Sequence, residues 1–135
     1  MKFYHPVNSA KILRTAMALV YSARKEIMAT MDMEEELAHP LPQVYHRLLM
    51  KKAKKGVHVV RYGFGSRREY NKLKKQYTSI DFLYCGSVDN YQRMLIVDQE
   101  VGIFRAGDSA YKTKFRPLIH ALVAYVKNSY NKEDL

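Results

Sequence analysis

Apolar positions recur along the chain in two rhythms. From Ile12 to Val20 they fall at three- and four-residue intervals (Ile12, Leu13, Ala16, Leu19, Val20), the spacing that lines one face of a helix. Asn8 and Ser9 can cap its start, and the pattern predicts a helix running to about Arg24. Glu26 to Asp32, EIMATMD, has no helical period and reads as a buried strand. The acidic MEEELAH segment after it reads as a loop. A second helical period, Val44, Leu48, Leu49 and Ala53, spans about Pro42 to Lys55 and stops at Gly56. VHVVRYGFG then reads as a strand ending in a glycine-bearing loop, and Ser66 as the cap of a short basic helix, SRREYNKLKKQY.

Beyond Tyr77 the rhythm shortens. IDFLYCG, YQRMLIVD and EVGIFRA are three strand-like runs, divided by Val88-Asp89-Asn90 and Gln99-Glu100. A last helix, about Lys114 to Tyr130, carries Leu118, Ile119, Leu122, Val123 and Val126. Helices between the early strands imply parallel crossovers, whereas short turns between the later ones imply hairpins. The expectation is one α/β domain over residues 1–135, with a mixed, mostly parallel sheet and helices packed on both faces. A chain of 135 residues can bury such a core without disulfides or metals.

Composition removes several function classes. No apolar run approaches the length of a transmembrane helix. The N-terminal region has neither the uninterrupted apolar stretch nor the small-residue site of a signal peptide, so a cytoplasmic location is expected. The single cysteine, Cys85, excludes an internal disulfide and reads as a buried small hydrophobe. The five histidines show no paired ligand spacing, so no metal and no cofactor are expected. His120, among apolar residues of the last helix, reads as a core histidine.

Charge is the strongest compositional signal. The net charge is +10, and the stretch from Lys51 to Lys75 alone carries +9, Glu69 being its one acid. Lys51, Lys52, Lys54, Lys55, Arg67, Arg68, Lys72, Lys74 and Lys75 are therefore candidate nucleic-acid contacts, with a solvated lysine-rich face as the plain alternative. Tyr62, Phe64, Tyr70 and Tyr77 are interleaved with them and could stack on bases if exposed.

Several segments together resemble the phospholipase D-like superfamily. KKAKKGVHVVR places Ala53, Gly56, Val57, Val59 and Arg61 at a helix-to-strand passage similar to that family's, and SARKEIMATMD is similar to its first strand. YQRMLIVD aligns with the H-x-K-x4-D signature, with Tyr91 at the histidine, Arg93 at the lysine and Asp98 at the aspartate. The downstream G-S-x-N element is reduced to Gly107, Asp108 and Ser109. In the family the histidine attacks phosphorus and the lysine neutralises phosphoryl oxygens. A phenol, with an ordinary pKa near 10, is a poor substitute for that nucleophile, whereas arginine keeps a forked cation for anions. The resemblance thus implies no catalytic residue, an anion-binding set of Arg93, Ser109 and Arg61, and pairing as a homodimer, since one motif per chain is half of the usual assembly.

The function expected first is a catalytically inactive binding module for nucleic acid or another phosphorylated or anionic ligand. A second is a ligand-sensing or assembly domain like the TrmB-type effector domains, which lack the catalytic histidine and bind sugars; the N-terminus lies too near the first helix for the winged helix of those regulators. A third is a single-motif phosphodiesterase or nuclease working as a homodimer.

Overall fold

The computed structural model describes residues 3–133. Strand β1 (His5–Val7) leads through a 3-10 turn into helix α1 (Ile12–Ser22). Asn8 accepts the Ala10 N–H at 2.9 Å at the start of that turn, as its side chain suits. Strand β2 (Glu26–Asp32) follows, then helices α2 (Met33–Ala38) and α3 (Gln43–Lys54), strand β3 (His58–Phe64) and helix α4 (Arg67–Leu73). The chain closes with β4 (Asp81–Tyr84), β5 (Met94–Val97), β6 (Val101–Ala106), β7 (Ser109–Thr113) and helix α5 (Arg116–Glu133).

The strands form one sheet in the order β1-β7-β6-β5-β2-β3-β4. β2 pairs in parallel with β3, and β3 with β4, as helical crossovers require. Every other neighbouring pair is antiparallel, so the sheet is mixed but mostly antiparallel, which corrects the mostly parallel expectation. The reason lies at the edge of β2. The β5–β6–β7 meander docks there antiparallel, and β1 returns to pair with β7. β1 has only three residues, one of them Pro6, and SAYKT in β7 alternates with little apolar content, so neither announces itself as a strand.

β2 sits centrally, with Ile27 to Met31 all buried, because both sheet faces are covered. One face holds α1, α3 and α4 through Leu19, Val20, Leu49 and Leu73, packed on Ile27, Ala29, Val59 and Leu95. The other holds α5 through Ile119, Val123 and Val126, packed on Met28, Val60 and Ile96. Cys85 is buried on that side, whereas His120 is exposed and is not a core residue. Gly56 ends α3 as expected: its φ of 95° is a left-handed turn that lets Val57 N–H reach the Lys52 carbonyl at 3.1 Å. No helix among the described residues is long and apolar enough to cross a membrane.

Candidate functional site

MEEELAH is not a loop. Its three glutamates fall in the first turn of α2, where the helix dipole favours negative charge, and Asp32 caps that turn by accepting Glu35 N–H at 3.3 Å. Folding this segment as a helix at the end of β2 turns Glu36 inward. Glu36 is buried, accepts from His46 at 3.1 Å and receives the Leu41 N–H at 3.4 Å. Glu35 pairs with Arg93 at 3.2 Å, both side chains half-exposed, so the pair itself contributes little to stability.

These groups wall a cavity of about 340 Å³ on the α1/α3 face of the sheet. Its floor is a row across β3, β2, β5 and β6 formed by Arg61, Ala29, Leu95 and Ile103, whose registers place them side by side. Ile12, Leu13 and Ala16 of α1 cover it from above. Arg61 is 3% exposed. Its Nη1 donates to the Tyr77 hydroxyl at 3.1 Å and the guanidinium lies 5.4 Å from the Tyr77 ring centre. Its Nε has no hydrogen-bond partner among the described residues.

Tyr91 and Arg93 stand at the rim, in an extended segment leading into β5. Thr30, buried on β2, pins this segment: its hydroxyl donates to the Gln92 carbonyl at 2.6 Å and accepts the Met94 N–H at 3.0 Å. Arg105 N–H adds a bond to the Arg93 carbonyl at 3.1 Å. Tyr91 leans on Phe64, with ring centres 5.7 Å apart. Burial pushes its phenol up to about 12; Glu35 and Asp32 add to the rise, and Arg93 and the Asp32 backbone oppose it. At neutral pH the Tyr91 hydroxyl is therefore protonated.

Solved structures of low sequence identity are similar in fold to this chain. Nuc from Salmonella typhimurium, a phospholipase D family member, matches with a TM-score of 0.62 at 16% identity over 95% of this chain and 91% of that one. The fold is phospholipase D-like. NucT from Helicobacter pylori matches at 0.60 and 12% identity, over 93% of this chain and 92% of its own. TrmBL2, an archaeal chromatin protein with a novel mode of DNA binding, matches at 0.70 and 14% identity over 98% of this chain. This chain spans about half of TrmBL2, 54% of its length. No family model matches the sequence, and a search of curated proteins finds no match.

Within the phospholipase D-like fold the signature positions divide. Tyr91 and Arg93 share the cavity, but Asp98 lies beyond the far end of β5. There its carboxylate receives the N–H groups of Arg24, Lys25 and Glu26 at 3.0, 2.7 and 2.9 Å, clamping the start of β2. Partial desolvation works to raise its pKa, but these N–H bonds and the Lys25 charge outweigh it and hold the carboxyl below its ordinary value. The anion-binding set divides as well. Arg61 and Arg93 meet in the cavity, while Ser109 is exposed at the start of β7, opposite Ala106, and is no part of the lining.

The basic residues collect elsewhere. Lys51, Lys52 and Lys54 occupy the last turn of α3 and Lys55 its C-cap, where cations complement the helix dipole. Lys51 and Lys54 border a groove of about 760 Å³ whose other side is Leu73 and Gln76. Arg68, Lys72, Lys74 and Lys75 line a shallow depression of about 570 Å³ along α4 and its 3-10 extension. Arg67 packs over the Tyr84 ring at 4.3 Å, and Lys52 donates to the Tyr21 carbonyl at 2.9 Å. The interleaved aromatics are not presented for stacking. Tyr62, Phe64 and Tyr77 are buried, and Tyr70 stacks on Phe82 with ring centres 4.9 Å apart while donating to its carbonyl. Among the described residues no three His, Cys, Asp or Glu side chains converge as metal ligands would.

Sequence reasoning read the α2 carboxylates as part of a loop and passed over Thr30. For α2 a signal existed in Asp32 followed three residues later by Glu35, ahead of Leu37. For Thr30 none did: a threonine in a buried strand shows its partners only once the chain across from it is placed.

Proposed function

We propose that this chain is a non-catalytic phospholipase D-like module that binds nucleic acid through the basic face of α3 and α4. The observation that carries the reading is the exposure of Lys51 and Lys54 along one groove and of Arg68, Lys72, Lys74 and Lys75 around a second depression. Cations spaced along a helix and its neighbour suit a phosphate backbone, which supplies most sequence-independent affinity. One neighbour in fold, TrmBL2, is described as binding DNA, which fits this assignment. With the aromatics buried, recognition runs through phosphates and not through stacked bases, so double-stranded DNA is the first ligand to try.

The test is a fluorescence titration of a DNA duplex over a range of salt. Affinity should fall log-linearly with salt, and Lys74→Glu with Lys75→Glu should weaken binding about equally on unrelated sequences, lowering the salt slope by roughly one per lysine removed. Affinity indifferent to salt would end the assignment.

Two further parts of the reading need their own measurements. A protonated Tyr91 in the motif histidine's place supports the absence of phosphodiesterase chemistry. Turnover of bis-nitrophenyl phosphate that disappears in both Tyr91→Phe and Arg93→Ala would overturn that. The single motif per chain supports a homodimer, and light scattering at micromolar concentration decides it.

A further inference from the structure

The cavity's carboxylates are committed to partners, whereas two of its cations, Arg61 and Arg105, have no ion pair among the described residues, and of these Arg61 alone is buried. Asp32 is committed to the α2 cap, Glu35 to Arg93, and Glu36 to His46 and the Leu41 N–H. Arg61 has no carboxylate within ion-pair distance among the described residues, although it is nearly fully buried and forms part of the wall. Its hydrogen bond to the neutral Tyr77 hydroxyl fixes the guanidinium without neutralising it. A buried cation left without a counter-charge is costly, and a ligand that brings the charge recovers part of that cost. Tyr45, buried on the same wall and held protonated because burial raises its pKa, offers a hydroxyl donor beside it.

The rest of the cavity limits what the ligand can be. Ile12, Leu13 and Ala16 of α1, with Leu95 and Ile103 of the sheet, give an occupant hydrocarbon to pack against. About 340 Å³ suits a small molecule and not a polymer strand. Asp32, Glu35 and Glu36 in the same wall oppose a second negative charge on that molecule. We infer that this cavity binds a small organic carboxylate with an apolar body, its carboxylate on Arg61 and its hydrocarbon against α1. The site is separate from the basic face and uses none of its lysines or arginines.

The experiment is calorimetric titration with hexanoate, its neutral counterpart hexanamide, and inorganic phosphate. The proteins are the wild type, Arg61→Met and Ala16→Phe. Arg61→Met removes the charge at similar length, while Ala16→Phe fills the space under α1 and leaves Arg61 in place. Hexanoate is expected to bind the wild type, with hexanamide and phosphate weaker by roughly tenfold or more. Each variant should lose roughly ten- to hundredfold in hexanoate affinity while retaining duplex binding. If Arg61→Met fails to fold, Ala16→Phe alone decides. Hexanamide or phosphate binding as well as hexanoate would overturn the assignment. So would hexanoate binding undiminished by Ala16→Phe, or none to the wild type at millimolar concentration. The hexanoate, hexanamide and phosphate results do not depend on whether the protein binds nucleic acid.

Discussion

Two side chains that hold backbone decide where the functional ones stand. Thr30 replaces a rung of the β2–β5 ladder with its hydroxyl, holding Gln92 and Met94 and so the rim residues Tyr91 and Arg93. Thr30→Val preserves shape and strand preference but strands a buried N–H and a carbonyl. It should cost about 1–3 kcal/mol in urea denaturation, with Thr30→Ser recovering most of the loss. Asp98 acts at the opposite end, gathering three N–H groups at the start of β2 from a left-handed backbone at φ 55°. Its folded pKa lies below its ordinary 3.8, so its contribution is full above that value and is lost as pH falls through the folded pKa. Asp98→Asn, which tolerates the same φ, should therefore be less stable than wild type by about 1–3 kcal/mol at pH 7. The gap should close only below about pH 4, which thermal melts from pH 7 to 3 would follow.

At the scale of elements, residues that act through their own backbone were legible and residues that act across the sheet were not. Gly56 and Ser66 announced a helix end and a helix start, and both do so in the structure. Ser66 receives Glu69 N–H at 3.1 Å while the Glu69 carboxylate receives Ser66 N–H at 2.8 Å. Ser66→Ala should cost about 1 kcal/mol, read by denaturation, and fray the first turn that carries Arg67 and Arg68. Gly65→Ala should cost more. Its φ is 147°, and a Cβ there would sit 2.6 Å from Glu69 Oε1, pushing the capping carboxylate aside. By contrast, the strands at β1 and β7 are made by pairing and not by pattern, and so the sheet's dominant sense was misread. The candidate site followed the same division. The Tyr91–Arg93 pairing and the buried Arg61 were visible as a family resemblance, but Glu35 and Glu36 became counter-charges only through the turn of α2.

For the molecule as a whole, one set of charges should produce two opposite responses to salt. The chain carries +10, and 10 of its 23 lysines and arginines lie between Lys51 and Lys75, where only Glu69 interrupts them. In the free protein these like charges repel, and folding holds them closer than the unfolded chain does. Raising salt from about 20 to 200 mM shortens the screening length severalfold, so the free protein's Tm should rise. Lys74→Gln with Lys75→Gln should raise Tm at low salt and flatten that dependence, because part of the repulsion is gone. Duplex affinity should move the other way, falling as salt rises and falling again in the same double variant. Differential scanning fluorimetry and a duplex titration on the same samples measure both. A double variant that loses duplex affinity while its low-salt Tm is unchanged would mean that the two lysines do not crowd one another in the folded state. A rise in Tm with unchanged duplex affinity would move the nucleic-acid surface off α4. The two readouts together thus separate a binding face from a merely charged one, a distinction that lysine count alone leaves open.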